Sequence, residues 1–178
     1  MKPVIVSKKE TRLSRWVTIL EKSVEFVAGA EALTYHSISQ FDYITALVIT
    51  DDGRIPIVKQ YRPAVESFTF ELPGGLIDYQ DNAQNIILRE IYEETGLRAS
   101  REILMLGNLQ PDTGRLSNKL LTFFVRTHNA PCKDWKPESG IEVVYKNKGE
   151  LMEMIHKGEF CNALHLGVIF LAVSKGLF

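Results

Sequence analysis

Apolar and β-branched residues alternate with polar ones in several short segments of the chain, a period that is typical of strands. Residues 15–26 and 33–38 predict an N-terminal hairpin, and residues 43–50 and 55–61 predict a second pair joined by an Asp52-Gly53 turn. Shorter segments of the same kind lie at 68–72, 103–109, 120–126 and 141–145. The chain is therefore predicted to be rich in strands.

Helical spacing of apolar residues is confined to three segments. The first follows Pro73-Gly74-Gly75, where the glycines interrupt the strand pattern; Asp81 or Asn82 can cap it, and Gly96 follows its last turn. Residues 149–157 and 162–175 predict two later helices. This order of elements predicts an α+β fold.

Composition narrows the classes of function. The chain has 178 residues, 45% of them hydrophobic, and a formal net charge of -1, which fits a globular domain and argues against a nucleic acid polymer as partner. Cys132 and Cys161 form no CxxC pair, so a reducing cytoplasm is expected. The strongest apolar run, residues 163–173, is too short to span a membrane, and no membrane partner is expected.

The candidate chemistry lies on the first predicted helix. Glu90, Glu93 and Glu94 are spaced i, i+3 and i+4, so their carboxylates share one helix face, and Arg89 precedes them. A hard divalent cation binds carboxylate oxygens and offsets their repulsion. The alternative is a solvated acidic face. The preceding Gly74-Gly75 favours the metal site, because glycine lets backbone approach a ligand and offer its carbonyls.

These residues also match a known motif. Gly75, Arg89-Glu90-Ile91, Glu93-Glu94 and Gly96-Leu97 have the spacing G-x5-E-x7-R-E-U-x-E-E-x-G-U, where U is apolar. The chain thus resembles the Nudix hydrolases, and the long match with fixed gaps is far more specific than a short glycine motif. One position departs, since Asp81 stands where the motif has glutamate.

The resemblance implies a Nudix fold, a mixed β-sheet sandwiched between helices. It implies that Glu90 and Glu94 bind magnesium, or alternatively manganese, with Glu93 assisting and the carbonyl of Gly74 completing the set. Arg89 would orient the carboxylates. The shorter Asp81 is expected to rearrange the supporting contacts without loss of the metal.

The flanking residues resemble the ADP-ribose pyrophosphatase branch. They are Gln60-Tyr61-Arg62, the segment from Glu71 to Asp78 that contains Pro73-Gly74-Gly75, and Leu116-Ser117-Asn118. This resemblance implies a small N-terminal β subdomain, residues 1–40, which is exchanged across a homodimer, and a Nudix domain, residues 41–178. It also implies that Trp16 and Tyr35 stack on the base, although packing in a core or dimer interface is an equal alternative for Trp16.

Two further assignments follow from the same branch. Arg62 would reach the diphosphate, with a salt bridge at the strand end as the alternative, while Glu71 is treated as structural. The catalytic base would come from a late loop, where Glu138 is preferred over Glu142, and a glutamate of the helix is the alternative base. The histidines show no metal-ligand spacing, so each is expected to be a surface or satisfied core residue.

The predicted reaction is attack of metal-activated water on the diphosphate of ADP-ribose or a similar ADP-sugar, giving AMP and a sugar phosphate. Another nucleotide sugar, such as GDP-mannose, is an alternative within the same chemistry. A non-catalytic nucleotide-binding module is a second alternative, which the intact Arg89, Glu90, Glu93 and Glu94 argue against. The third is a plain α+β domain with an acidic helix.

Overall fold

A computed structural model describes residues 2–78 and 81–178, and in it the chain forms two compact units. The small unit comprises Met1–Asp42 and Gln110–Lys119, and the large unit comprises Tyr43–Leu109 and Leu120–Phe178. Met1, the first residue of the predicted segment 1–40, lies outside the described residues. The division into an exchanged subdomain and a Nudix domain stays a prediction.

The small unit is built on a three-stranded antiparallel sheet. Its strands are β1 (Val4–Arg12), β2 (Thr18–Glu25) and β3 (Leu33–Ser39), in the order β1-β2-β3. The segment Gln110–Lys119 joins this unit at Ile38, whose amide donates to the carbonyl of Arg115 at 2.7 Å and whose carbonyl accepts from the amide of Ser117 at 3.1 Å.

The large unit contains two sheets. The strands are β4 (Tyr43–Thr50), β5 (Ile55–Arg62), β6 (Ser67–Glu71), β7 (Gly74–Leu76), β8 (Ala99–Leu109), β9 (Leu120–Thr127) and β10 (Ile141–Lys146). One sheet has the order β7-β4-β9-β8 and is mixed, because β4 and β9 are parallel while the other pairs are antiparallel. The other sheet, β10-β5-β6, is antiparallel.

Three helices complete the large unit: α1 (Ala83–Thr95), α2 (Lys148–His156) and α3 (Ala163–Ser174). Strand β4 is buried on both faces. Its residues Ile44, Ala46 and Val48 pack in a cluster with the α1 side chains Ile86, Ile87 and Ile91. Leu47 and Ile49 face the opposite way, into a cluster that includes α2, α3 and β5. The mixed sheet is therefore covered by α1 on one face and by α2, α3 and the second sheet on the other.

Most predicted elements are found, and two strands were not predicted. Residues 4–12 pair with β2 although every residue of β1 is exposed, so no buried alternation marked this strand. Gly74–Leu76, predicted as a break, is the short strand β7. Gly74 pairs with Thr45, and a Cβ on Gly74 would lie 2.7 Å from the Cα of Thr45, so this close pairing requires the glycine. No helix within the described ranges is both long and apolar enough to cross a membrane.

Candidate active site

Helix α1 begins and ends at capping residues visible in the sequence. The side chain of Asn82 accepts a hydrogen bond from the amide of Gln84, and Gly96 ends the helix with a left-handed φ of 71°. Asp81 is therefore not the cap. Its carboxylate accepts from the amide of Asn82 at 2.6 Å and from the Asn85 side chain at 3.0 Å. The Asn85 and Asn82 hydrogen bonds lower the pKa of Asp81, so it is a local anion at the helix start.

The three glutamates of α1 divide into an inner pair and an outer residue. Glu94 is buried, at 7% exposure, and the Glu90 side chain is 14% exposed, whereas the Glu93 side chain is 49% exposed. The apolar residues Ile87 and Ile91 fix this orientation because they are fully buried against β4. Glu90 and Glu94, one helical turn apart, are thus directed inward.

Both inner carboxylates contact strand β7. The amide of Gly74 donates to Oε2 of Glu94 at 3.0 Å. At Gly75 a Cβ would lie 2.7 Å from Cδ of Glu90 and closer still to Oε2, so the carboxylate occupies the space that any other residue would fill. Gly74 and Gly75 thus both contact carboxylates of the acidic helix.

The inner pair is held in a setting that disfavours negative charge. Burial, and then repulsion from Glu90 and Glu138, raises the pKa of Glu94 to about 8, although the Gly74 amide and Arg62 oppose this rise. Burial also raises the pKa of Glu90, and the charge of Glu93 adds to the rise. Two poorly solvated carboxyls side by side are expensive to ionise, and a bound cation compensates for that cost.

The residues present fit a magnesium ion. Among residues 2–78 and 81–178, no three His, Cys, Asp or Glu side chains converge closely enough to enclose a metal by themselves. Magnesium does not need such a cage, because it usually takes one or two carboxylates and completes its shell with waters and substrate phosphates. Glu90, Glu94 and the carbonyl of Gly74 match that donor set, and Glu93 lies on the outer side.

Arg89 is placed beside these carboxylates. Its guanidinium lies 3.2 Å from Oε1 of Glu90 and 3.9 Å from Oε1 of Glu93. A cation between the inner and outer glutamates limits their mutual repulsion and restricts their rotamers. This position agrees with an orienting role for Arg89, which stays a prediction.

Arg62 forms a two-pronged ion pair with Glu71. Its Nε lies 2.8 Å from Oε1 and its Nη2 lies 2.6 Å from Oε2, while the Thr69 hydroxyl donates to Oε1 at 2.6 Å. Burial alone would raise the pKa of Glu71, but the hydrogen bonds from Arg62 and Thr69 outweigh it, and the pKa lies below its usual value. The predicted alternative, a strand-end salt bridge, is present, and it leaves the exposed half of Arg62 directed toward ligand space.

A cavity of about 1090 Å³ in the large unit has some of the predicted site residues in its wall. It is lined by Arg62, Glu71, Gly74, Gly75, Glu94, Glu138 and His165, among others, whereas Arg89, Glu90 and Glu93 are not part of its wall. Its volume is ample for a ligand of nucleotide size. Arg62, predicted to bind the diphosphate, and Glu138, predicted to be the base, thus border the same space as Glu94 and the two glycines.

The loop before β10 carries Glu138 to this cavity. Trp135 fastens the loop to α1, because its indole N–H donates to the carbonyl of Glu93 at 3.0 Å and its ring packs against Gly96. Glu138 itself closes a turn, its carbonyl accepting from the amide of Ile141 at 3.2 Å. Glu142, the alternative, pairs with Lys59 at 2.9 Å on the exposed side of β10. Glu138 lines the cavity and Glu142 does not, and the assignment of Glu138 as the base stays a prediction.

Trp16 and Tyr35 lie in the small unit. The guanidinium of Arg15 stacks over the Trp16 ring at 3.8 Å, and Phe41 meets that ring edge-on at 5.7 Å. Tyr35, 47% exposed, has an edge contact with Phe26 at 5.9 Å. Both rings keep exposed area, so their predicted stacking on a base remains a prediction.

Glu71 and His165 also line the cavity. Glu71, which the sequence interpretation treats as structural, holds the Arg62 guanidinium in place. His165 was expected to be a satisfied histidine, and its Nδ1 does accept the amide of Leu72 at 3.0 Å. This contact could not be predicted from the sequence, because α3 lies far along the chain from the motif and His165 approaches Leu72 only in the folded structure.

Comparisons with known proteins agree with this geometry. The sequence model of the NUDIX domain matches residues 41–148. The chain therefore belongs to the Nudix family, as the motif predicted. A crystal structure described as ADP compounds hydrolase superposes with a TM-score of 0.80 at 20% identity, covering 100% of this chain and 98% of that one. The predicted α+β Nudix fold is confirmed.

Curated relatives include enzymes of the predicted branch. An ADP-ribose pyrophosphatase of Bacillus subtilis (strain 168) is 36% identical over 58 residues, which cover 33% of this chain and 31% of that protein. A CMP-5'-(N-acetyl-N-hydroxy-3-aminopropyl)phosphonate hydrolase of Streptomyces rubellomurinus is 32% identical over 107 residues, covering 59% of this chain and 50% of that protein. The chain thus spans about a third to a half of the length of these relatives.

Proposed function

We propose that this Nudix protein hydrolyses the diphosphate bond of a nucleoside diphosphate sugar in the presence of magnesium, with ADP-ribose as the preferred substrate and AMP and ribose 5-phosphate as products. The observation that carries the proposal is the cavity bordered by Arg62, Glu94, Gly74, Gly75 and Glu138, with the carboxylate of Glu90 directly beside Gly75. Carboxylates for a cation and a guanidinium for phosphate oxygens are what diphosphate hydrolysis requires.

Each residue has a defined task in this account. Glu90, Glu94 and the Gly74 carbonyl hold the cation, which when bound lowers the pKa of water and offsets charge on the phosphoryl oxygens. Arg62, oriented by Glu71, binds diphosphate oxygens through the part of its guanidinium that the ion pair leaves open. Glu138 takes the proton of the attacking water, with a glutamate of α1 as the alternative base. Glu93 and Arg89 keep the inner carboxylates oriented.

The preference for an adenine nucleotide rests on the relatives. The B. subtilis protein is named an ADP-ribose pyrophosphatase, and the solved structure is described as ADP compounds hydrolase. The S. rubellomurinus relative is named for a CMP derivative, so a different nucleotide is the second candidate. The residues proposed to contact the diphosphate would serve either nucleotide, because they do not contact the base.

We further propose that two chains form a homodimer in which Trp16 or Tyr35 of the small unit contributes to base binding. The small unit exposes several large apolar side chains, which is typical of a surface that contacts another protein. They are Val4, Ile5, Val6, Leu13, Phe26, Val27 and Leu33, each at least 47% exposed. A second copy of this sheet is the surface that covers them. The free Cys132 and Cys161 fit a cytoplasmic protein.

A substrate panel at fixed magnesium tests the proposed function. Release of sugar phosphate would be followed with ADP-ribose, ADP-glucose, GDP-mannose and a CMP-linked substrate. The proposal predicts the highest kcat/KM for an ADP-sugar. A chain that cleaves only nucleoside triphosphates, or none of the panel, would contradict it.

A further inference from the structure

His165 lies in the first turn of α3 and is 8% exposed. Its Nδ1 accepts a hydrogen bond from the amide of Leu72 at 3.0 Å. Leu72 follows Glu71, the partner of Arg62, and precedes Gly74, which contacts Glu94. The ring is therefore hydrogen-bonded to the backbone between these two parts of the site. Nδ1 of the imidazole therefore helps to hold the backbone that lines the cavity in place.

The hydrogen bond fixes which nitrogen carries the proton. A nitrogen that accepts an amide proton is unprotonated, so the proton of the neutral ring resides on Nε2. Burial lowers the pKa of His165 to about 4, which agrees with a neutral ring, while Glu71 and Arg62 act on it with opposite signs. Nε2 is thus a donor without charge and with a fixed direction.

This donor has no partner within the described part of the chain. In that part of the chain, the Leu72 amide is the only group hydrogen-bonded to the ring. The fully enclosed side-chain atoms that lack a partner there belong to Ser37, Thr127 and Tyr145, and Nε2 is not one of them. Nε2 therefore opens onto accessible space. The accessible space at this ring is the cavity that Arg62 and Glu94 also line.

The surroundings of His165 suit a sugar better than a base. The aromatic ring paired with the imidazole is Phe160, at 6.4 Å between centroids, and it is fully buried, so it offers no open face for stacking. The polar side chain of Asn162 lines the same wall, although its oxygen already caps α3. A neutral donor with a fixed direction can distinguish hydroxyl positions. An exposed ring that also lines the cavity, Phe68, belongs to β6.

We propose that His165 Nε2 donates a hydrogen bond to an oxygen of the sugar that lies beyond the diphosphate, and so sets the preference for that sugar. The inference rests on the proposed function, because it requires a nucleoside diphosphate sugar in this cavity. Arg62, which lines this cavity, binds the diphosphate directly, and Glu94 would hold the cation that the diphosphate contacts. The neutral donor on the α3 side of Glu71 engages the adjoining sugar.

Two substitutions separate the supporting edge of the ring from the binding edge. Asparagine places an acceptor near the position of Nδ1, so His165→Asn keeps an acceptor for the Leu72 amide and removes the Nε2 donor. Glutamine reaches the position of Nε2, so His165→Gln keeps a donor toward the cavity and removes the acceptor for Leu72. The first variant should remain stable, and the second should unfold at a lower temperature.

Binding of non-hydrolysable analogues provides the readout. The full-length protein with magnesium would be titrated with α,β-methylene ADP-ribose and with α,β-methylene ADP, which lacks the second sugar. The wild type should bind the ADP-ribose analogue more tightly, and His165→Asn should reduce this preference roughly three- to tenfold, the value of one neutral hydrogen bond. His165→Gln should retain more of the preference than His165→Asn.

The outcomes distinguish this inference from the proposed function. Equal weakening of both analogues by His165→Asn would mean that the residue serves the phosphates or the wall, and would overturn the sugar contact. An unchanged preference in a folded His165→Asn protein would overturn it as well. If the wild type binds neither analogue, the proposed function itself fails, and the inference fails with it.

Discussion

The carboxylate of Glu90 occupies the space beside Gly75 in which any other residue would carry its Cβ. The distance from that Cβ to Cδ of Glu90 would be 2.7 Å, well inside normal contact. Position 75 on β7 must therefore be glycine for the Glu90 carboxylate on α1 to keep its place.

Gly75→Ala should therefore displace Glu90 and lower kcat by about tenfold or more, since a carboxylate moved by about 1 Å no longer holds its ligand correctly. The fold should survive, because the displaced group is a side chain. Steady-state kinetics and thermal unfolding would measure both effects. Gly149→Ala is the matched control: it adds a Cβ in the first turn of α2, 3.3 Å from Asn147 Oδ1, and should leave turnover unchanged. Equal kcat in the two variants would contradict the coupling.

The pKa of Glu94 predicts how magnesium affects stability. Burial raises this pKa to about 8 from the usual 4.5, so the folded, metal-free chain retains a proton that the unfolded chain releases. The contribution of Glu94 to the free energy of unfolding of the metal-free protein should then fall as pH rises from about 4.5 toward 8. Magnesium binds the ionised form, so it should raise the melting temperature more at pH 8.5 than at pH 6.

Glu94→Gln is the control for this measurement, because it removes the titrating group while keeping its size. The pKa of His165 is lowered to about 4 from the usual 6.5, so His165 makes the free energy of unfolding rise with pH up to about 7, and it does so in both proteins. The free energy of unfolding of the wild type relative to the variant should therefore fall as pH rises toward 8, and the variant should show a smaller magnesium effect. A magnesium effect that is independent of pH in the wild type would refute the role of Glu94.

The ion pair between Arg62 and Glu71 predicts an asymmetric pair of mutants. Arg62→Ala leaves the buried Glu71 carboxylate without its main partner and should lower the free energy of unfolding by about 1–3 kcal/mol, a value reduced for the half-exposed arginine. Arg62→Ala/Glu71→Gln should recover much of this stability, because no charge is left unpaired.

Activity should respond differently from stability in this pair. Both variants lose the guanidinium that binds the diphosphate, so both should show a raised KM for ADP-ribose. Denaturant unfolding and kinetics on the two proteins would separate the roles. Recovery of activity in the double variant would show that Arg62 serves the fold alone.

A shared site predicts complementation between inactive chains. Glu94→Gln destroys the metal site, and Trp16→Ala/Tyr35→Ala removes the proposed base platform; each homodimer should have low activity. Mixed dimers formed by co-expression should recover up to about half of the activity of the wild-type dimer, because each contains one intact site if the platform and the metal site come from different subunits. No recovery in mixed dimers verified by native mass spectrometry, or a monomer with full activity, would contradict the arrangement.

The sequence allowed much of α1 to be predicted, because its signals are local. A capping residue precedes Ala83, apolar side chains recur at helical spacing, and Gly96 ends the helix. Strand β7 could not be predicted in this way, since two adjacent glycines are typical of a turn. Only the close approach of β4, which leaves no space for a Cβ at Gly74, makes them part of a sheet.

The contacts that orient the site depend on register and long-range packing. Arg62 and Glu71 are not directly opposite each other, because β5 and β6 pair Arg62 with Ser67 and Val58 with Glu71. The register places both side chains on one face of the sheet, and the long Arg62 side chain reaches along that face to Glu71. That register is not evident from the residues alone. His165 reaches Leu72 only once α3 has packed on the sheet. Such contacts depend on the tertiary structure, whereas the inner glutamates could be identified from the motif.

The most direct test of the account follows ADP-ribose hydrolysis by phosphorus NMR in the wild type and in Glu94→Gln, each with and without magnesium, with Glu153→Gln as an exposed-glutamate control on α2. The account predicts AMP and ribose 5-phosphate from the wild type and the control only when magnesium is present, and a rate lower by on the order of a hundredfold or more in Glu94→Gln. Near-normal turnover by a folded Glu94→Gln protein, or hydrolysis by the wild type that does not depend on a divalent cation, would contradict it.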